Sequence, residues 1–203
     1  TEGVNVAGNS TYNTAVGFTA DQAGIWRWTA AYSGDTWNNP VISGCQEELV
    51  TISKRSPSIT TQASPTSNIV VGMQTLVGDT ATLVNGFNPT GSVVFTLYSN
   101  DTCTIPAGVS GSGTISGGSA SYSTNWTPTA VGTYYWIASY AGDVNNEGFT
   151  TQCGDVNEML YVIPDSLIIT TQVIPWCSVL GELHALAAGR ASDVNGYNPT
   201  GSV

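Results

Sequence analysis

Cys103 and Cys153 are the residues with the most definite chemistry in this chain. A disulfide between them would close a loop of about 50 residues and, in the chain-entropy account, remove about 4 kcal/mol of unfolded-state freedom. The alternative is two free thiols. No CxxC pair and no neighbouring His cluster accompanies the four cysteines, so a metal site is disfavoured. Cys45 and Cys177 have no evident partner within the chain.

Asp35 and Asp143 each follow a Gly, with Asn38–Asn39 and Asn145–Asn146 just beyond. Asp143, Asn145 and Asn146 are thereby candidate calcium ligands, because calcium takes clustered carboxylate, amide and carbonyl oxygens. An Asx-type turn, in which the side chain bonds its own backbone, explains the same residues and is the expected reading, since no loop alternates acidic ligands. Trp37 stands in a loop and is a candidate for stacking on a sugar or anchoring a partner, set against packing on its own or a neighbouring module. NST at 9–11, NDT at 100–102 and NWT at 125–127 fit the glycosylation sequon, which a Thr- and Asn-rich chain also generates by chance.

Catalytic groups are sparse. His184 is the only histidine, so residues 56–164 hold no Ser-His-Asp set. Asp79, Asp101, Asp143, Asp155 and Glu158 fall at expected strand ends and turns, where solvated turn acids are the simpler reading than a carboxylate pair facing a cleft. Phosphate loops and dinucleotide fingerprints are absent from the sequence. The expectation is a protein that is not an enzyme and takes no cofactor.

The elements that position these residues recur. GIWRWTAAYSGD at 24–35 returns as GTYYWIASYAGD at 132–143, and NGFNPTGSV at 85–93 returns as NGYNPTGSV at 195–203. ITTQ at 59–62 matches ITTQ at 169–172, and Cys45 matches Cys153. The repeat is therefore about 110 residues long, the size of one immunoglobulin-like sandwich. Its phase divides the chain into the C-terminal part of one repeat (1–55), a complete repeat (56–164) and the N-terminal part of a further one (165–203). Cys45, standing where Cys153 stands, would find its partner in the earlier part of its own repeat.

Within the complete repeat, strands are expected at 59–63, 79–84, 91–99, 119–126, 132–140 and 158–163, with NGFNPTG supplying turn residues. Short strands at this spacing, without a helical period, predict an all-β, antiparallel Greek-key β-sandwich of immunoglobulin-like type in tandem repeat. Tyr134, Trp136, Ala138 and Tyr140 alternate onto one face, matched by Trp26, Trp28, Ala30 and Tyr32. The opposite face tolerates Arg27, so the aromatic face is the core side. Val93, Phe95 and Leu97 share an inward face in the same way. Residues 165–203 depart from the pattern, and LGELHALAAGR carries helical propensity. Trp126 matches Phe18, which points to packing.

Composition narrows the partners. The chain carries 14 acidic against 4 basic residues, a net charge of −10. Nucleic acid and anionic membrane surfaces both need Lys and Arg to replace counterions, so neither is an expected partner. No apolar run approaches the roughly 20 residues that cross a bilayer, so no membrane insertion is expected in this segment. Low Lys and sparse Cys in a strand-rich chain suit an extracellular or cell-surface location, where disulfides persist.

The run G-x-Y-x-W-x-A-x-Y-x-G-D, then Asn-Asn and a Cys before the last strand, resembles the bacterial immunoglobulin-like domain repeats of large surface and secreted proteins. NPTGSVVFTLY, with Cys103 shortly after, fits the same repeat type. The resemblance implies a structural spacer or stalk module of an adhesin-like protein, with neighbouring repeats as its partners. A module that binds glycan or a surface protein through its loops is the alternative. Residues 165–203 supply first strands and 1–55 supply last strands, so head-to-tail self-association is a further possibility.

Overall fold

The computed structural model describes residues 2–166, together with the backbone of 169–173 and 189–193. Its strands in chain order are β1 Gly24–Trp28, β2 Ala31–Tyr32, β3 Val41–Ile42, β4 Glu48–Ile52, β5 Ser58–Ser64, β6 Ile69–Val70, β7 Thr75–Val84, β8 Ser92–Tyr98, β9 Pro106–Thr114, β10 Ser119–Trp126, β11 Gly132–Tyr140, β12 Phe149–Thr150 and β13 Met159–Ile163. β14 Ile169–Val173 and β15 Gly189–Asp193 follow as an antiparallel pair. Among the described residues there is no helix, and the chain is all-β.

Residues 58–163 form a β-sandwich. One sheet has the order β10-β7-β5, the other the order β6-β13-β11-β8-β9 with β12 beside β11. All pairings are antiparallel except that of β6 with β13. β11 is central because its side chains alternate as a sheet between a core and solvent demands: Tyr134, Trp136, Ala138 and Tyr140 are buried while Tyr135, Ile137 and Ser139 are not. Opposite them in register stand Leu97 against Trp136, Phe95 against Ala138 and Val93 against Tyr140. The facing sheet contributes Ile59, Ala63, Val77, Ala81, Leu83 and Ala120 to the same core. Trp136, fully buried, meets the ring of Tyr122 edge-on across the interior at 6.4 Å between centroids.

Strand positions expected from the sequence are present, with three additions. β7 begins at Thr75, four residues before its expected start, and β6 and β12 are two-residue pairings too short for a periodic signal. β9, PAGVSGSGT, is a full edge strand on a Gly-rich sequence that carries little strand propensity. Its glycines answer to close approach. A Cβ on Gly111 would fall 2.1 Å from the Tyr122 ring, and one on Gly113 would fall 2.3 Å from the Ser121 carbonyl oxygen. Only bare backbone lets β9 pass so near β10 at the open side of the sandwich.

Residues 24–52 repeat part of this pattern. β1 pairs with β4 from Gly24↔Ile52 to Trp28↔Glu48, as β11 pairs with β13 from Gly132↔Val162 to Tyr135↔Met159. β2 pairs with β3 as Ala31↔Ile42 and Tyr32↔Val41, matching Ser139↔Thr150 and Tyr140↔Phe149. Phe18 packs on Trp26 at 4.9 Å, as Trp126 packs edge-on against Tyr134 at 4.8 Å. Among the described residues, the buried hydrophobic core nevertheless lies wholly within residues 59–162. Trp28, the counterpart of Trp136, is 43% exposed.

Candidate functional site

The disulfide joins Cys103, in the loop after β8, to Cys153, between β12 and β13, with the Cα atoms 5.8 Å apart. The loop is organised locally by Asn100, whose Oδ1 accepts the N–H groups of Thr104 and Ile105 and whose Nδ2 donates to Thr104 Oγ1. Cys45 is free and exposed. Cys177 and His184 lie outside the described residues, as do most of the positions on which residues 165–203 are expected to form a further repeat and to support head-to-tail association.

Two expected turn acids are not solvated. Asp79 is 2% exposed and Glu158 is 0% exposed. Parity explains both. Val77, Asp79, Ala81 and Leu83 share the inward face of β7, and Glu158 continues the inward row of Leu160 and Val162. Thr61, on the inward face of β5, donates its hydroxyl to Glu158 Oε1. Neither oxygen of Asp79 has a hydrogen-bond partner, nor does Glu158 Oε2. Burial pushes Asp79 up to about 6. Burial, with a smaller contribution from the Asp79 charge, pushes Glu158 up to about 7 against the Thr61 hydrogen bond. Asp101 and Asp155 are exposed.

The Gly-Asp turn after β11 is a densely bonded polar cluster. Asp143 Oδ1 accepts the N–H groups of Asn145 and Asn146 and the side-chain amide of Asn146, each at 2.8 Å. Oδ2 accepts Thr90 N–H at 2.8 Å and Thr90 Oγ1–H at 3.1 Å. Burial alone would raise this carboxyl, but the donors from Thr90, Asn146 and Asn145 prevail and hold it far below the usual carboxylate range. The side chain of Asn146, fully buried, also brackets Phe87, accepting its N–H at 2.7 Å and donating to its carbonyl at 2.9 Å. Gly142, at φ 86°, is required because a Cβ there would stand 2.6 Å from the Asn146 carbonyl oxygen. This is the Asx-turn geometry: both carboxylate oxygens of the calcium candidate are engaged by N–H and O–H donors. Among the described residues, no group of three His, Cys, Asp or Glu is placed to hold a metal ion.

The outer side of that turn meets the preceding segment. Ala23 N–H donates to Asn145 Oδ1 at 2.8 Å, and Asn145 Nδ2 donates to the Asp21 carbonyl at 3.3 Å. Lys54 Nζ donates to the Asp143 carbonyl at 2.6 Å. Arg55 adds a parallel β-bridge with Asn146, its N–H donating to Asn145 O and its carbonyl accepting Glu147 N–H, both at 2.8 Å. The turn therefore has two faces, one closing its own sandwich and one holding the entry of β1 and the segment after β4.

No family model matches this chain, and no curated protein matches it. Among solved structures, the chain is similar to the CARDB domain of a Pyrococcus furiosus protein, crystallised with di-metal ions, at 16% sequence identity and a TM-score of 0.36. The match covers 56% of this chain and 95% of that one.

The Gly-Asp turn also recurs. Asp35 Oδ1 accepts Trp37 N–H at 2.7 Å, Asn38 N–H at 2.8 Å and the Asn38 side-chain amide at 3.0 Å. Asp35 N–H donates to Asn38 O at 3.0 Å, as Asp143 N–H does to Asn146 O. These bonds set the register: Asn38 stands where Asn146 stands, and Trp37 where Asn145 stands. Asn39, paired with Asn38 in the sequence reading, falls at the Glu147 position. The oxygen that Thr90 occupies on Asp143 is taken on Asp35 by the Tyr32 hydroxyl at 2.7 Å. That bond, followed by the Trp37 N–H, holds Asp35 down at about 2.

Proposed function

We propose that this chain is part of an extracellular stalk: immunoglobulin-like Greek-key modules in tandem, with residues 56–164 as one complete unit. The order of the two sheets, with β5, β7 and β10 in one and β6, β13, β11, β8 and β9 in the other, suits that fold. The observation that carries the reading is the direct abutment of units. Asp143, Asn145 and Glu147 of one unit bond the backbone and the basic exit segment of the segment before it. Units joined in this way transmit direction along an array, which is what a spacer requires. A disulfide within each unit, and a surface location in a bacterial adhesin-like protein, complete the proposal.

The role is non-catalytic. The perturbed carboxyls Asp79 and Glu158 are sealed inside the sandwich, where no substrate has access. Their environment supports a structural account of the shifts. A direct test is small-angle scattering on chains carrying increasing numbers of the repeat. A stalk lengthens by about 30–40 Å per added unit, the span of a nine- to ten-residue strand with its loops. A maximum dimension that levels off as units are added would refute the spacer reading.

The second reading is a binding module that engages glycan or a surface protein through its loops. It is favoured by one observation, the 91% exposure of Trp37. Saturable binding on a glycan screen, lost on Trp37→Ala, would support it.

A further inference from the structure

Trp37 occupies the turn position that, at Asn145, faces the segment before the sandwich. Its counterpart Asn145 is gripped from outside by Ala23 N–H and the Asp21 carbonyl. On their outer faces the two turns differ: Asn145 has the entry of β1 and the Lys54–Arg55 segment against it, whereas the Trp37 indole lies open. The backbone acceptors are equivalent as well. The carbonyls of Asp143 and Asn145 receive Lys54 Nζ and Arg55 N–H, and those of Asp35 and Trp37 stand in the same places on a turn held by the same three bonds to its Asp Oδ1.

We propose that the Gly34–Asn38 turn, with Trp37 at its tip, is the docking surface for a preceding module of the same repeat type. The occupant presents the residues equivalent to Asp21–Ala23 and Lys54–Arg55, with the Trp37 ring laid on that strand entry where Asn145 makes its paired amide contacts. Two properties fit this partner. The indole gives one N–H, enough to replace the donation from Asn145 Nδ2 to the Asp21 carbonyl, while its ring replaces the second bond with apolar burial. The occupant is also complementary in charge: the chain has four cationic residues, and two of them, Lys54 and Arg55, sit side by side at the one junction that is described. Their equivalents would approach a turn built on the ionised Asp35. The inference rests on the array reading, and it adds that junctions come in two kinds, one sealed by an amide and one by an indole.

The test is a chain in which residues 1–108 precede residues 1–203, so that Thr1 of the second copy follows Gly108 at the place Val109 normally takes. Trp37→Phe in the added copy leaves a single Trp37 to follow. Hydroxyl-radical footprinting read by mass spectrometry reports its oxidation rate, with the 203-residue chain as reference. The expected result is a several-fold slower oxidation of Trp37 in the extended chain, reversed by Lys54→Ala with Arg55→Ala in the added copy. The same sample reports the array reading separately, because Cys103 of the added copy should bond Cys45 of the second. If that disulfide forms and Trp37 oxidises at the reference rate, the docking proposal is overturned while the array stands, and Trp37 passes to the glycan- or protein-binding reading. If it does not form, the array reading fails and takes the docking surface with it.

Discussion

The backbone N–H of Ala23 donates to the side-chain oxygen of Asn145 at 2.8 Å, across 122 residues of chain. Because the amide nitrogen of the same side chain reaches the Asp21 carbonyl, one short residue holds two points of the preceding segment. Net, such bonds contribute about 1 kcal/mol each, enough to bias an orientation but not to hold a sandwich together. Asn145→Ala combined with Lys54→Ala should therefore loosen the junction while changing the unfolding free energy of residues 56–164 by no more than about 0.5 kcal/mol. Residual dipolar couplings measured separately on residues 24–52 and 58–163 would reveal it as loss of a common alignment frame. Retention of one frame in the double variant would mean that the Arg55 backbone bridge alone fixes the geometry.

Asn146 is next in sequence and opposite in consequence. Its amide is spent inside the unit, on both polar groups of Phe87 and on Asp143. Asn146→Ala should cost about 1–3 kcal/mol of unit stability, since a fully buried amide that bonds the Phe87 N–H, the Phe87 carbonyl and Asp143 Oδ1 is lost. Urea unfolding would show the midpoint falling with an unchanged slope. Comparable midpoints for Asn146→Ala and Asn145→Ala would contradict this division of the turn into an inner and an outer face.

Much of this architecture is legible in the sequence, and the gaps have physical causes. β11 can be read residue by residue because alternation of large aromatics with smaller side chains is a strong period-two signal. The turn after it is legible as an Asx turn because Gly-Asp-x-x-Asn supplies both the left-handed residue and the acceptor. β9 is not legible, since its defining property is the absence of side chains at Gly111 and Gly113, and propensity reads that as loop. Asp79 is misplaced by an expected strand that starts there; further back along the alternation, Val77 and Thr75 put it on the inward row. Glu158 shares its parity with Leu160 and Val162, a signal outweighed by the prior that carboxylates face water. The contact of Asn145 with Asp21 and Ala23 leaves no trace in the sequence, because it spans more than a hundred residues and Trp37 stands at the matching place of the Gly34–Asn38 turn.

Gly111→Ala tests the account of β9. The new methyl would be driven into the Tyr122 ring, which itself packs on Trp136, so the collision is passed into the core. A loss of about 1–3 kcal/mol is expected, the usual range for overpacking a close-packed interior. Tyr122→Ala in the same chain should remove most of the penalty in a double-mutant cycle. An additive cycle would place the cause elsewhere.

The Cys103–Cys153 bond should stabilise the unit chiefly by restricting the unfolded chain. With the cysteines at a sequence separation of 50, the chain-entropy account gives about 4 kcal/mol. The double variant Cys103→Ser with Cys153→Ser should therefore unfold at markedly lower denaturant while keeping its far-ultraviolet strand signature. Reduction of the unsubstituted chain should reproduce the shift. A reduced chain as stable as the oxidised one would remove the bond from any account of the module's strength.

The buried carboxyls make the last prediction one of pH. Burial lifts Asp79 to about 6 and Glu158 to about 7, whereas both titrate near about 4 when unfolded. Between those values the folded state holds more protons than the unfolded one, so stability must fall as pH rises through the window. Because the two groups face one interior, they act as a pair. A loss on the order of 3 kcal/mol between about pH 5 and about pH 8 is a reasonable scale, since each tenfold change in proton affinity corresponds to about 1.4 kcal/mol. Asp143 works in the opposite sense. Its carboxyl is depressed, so its contribution is present above the unfolded value and disappears as acid protonates it. The stability maximum should thus lie at about pH 4, where the unfolded carboxyls titrate, bounded below by Asp143 and above by the buried pair. Glu158→Gln preserves an acceptor for the Thr61 hydroxyl while removing one of the two ionisations, so it should make the alkaline limb shallower, leaving the part due to Asp79, and leave the acid limb in place. Asp143→Asn should do the reverse. Unfolding midpoints recorded from acid to mildly alkaline pH for the three chains decide the matter. An unsubstituted chain equally stable at about pH 5 and about pH 8 would show that Asp79 and Glu158 are ionised in the fold without penalty.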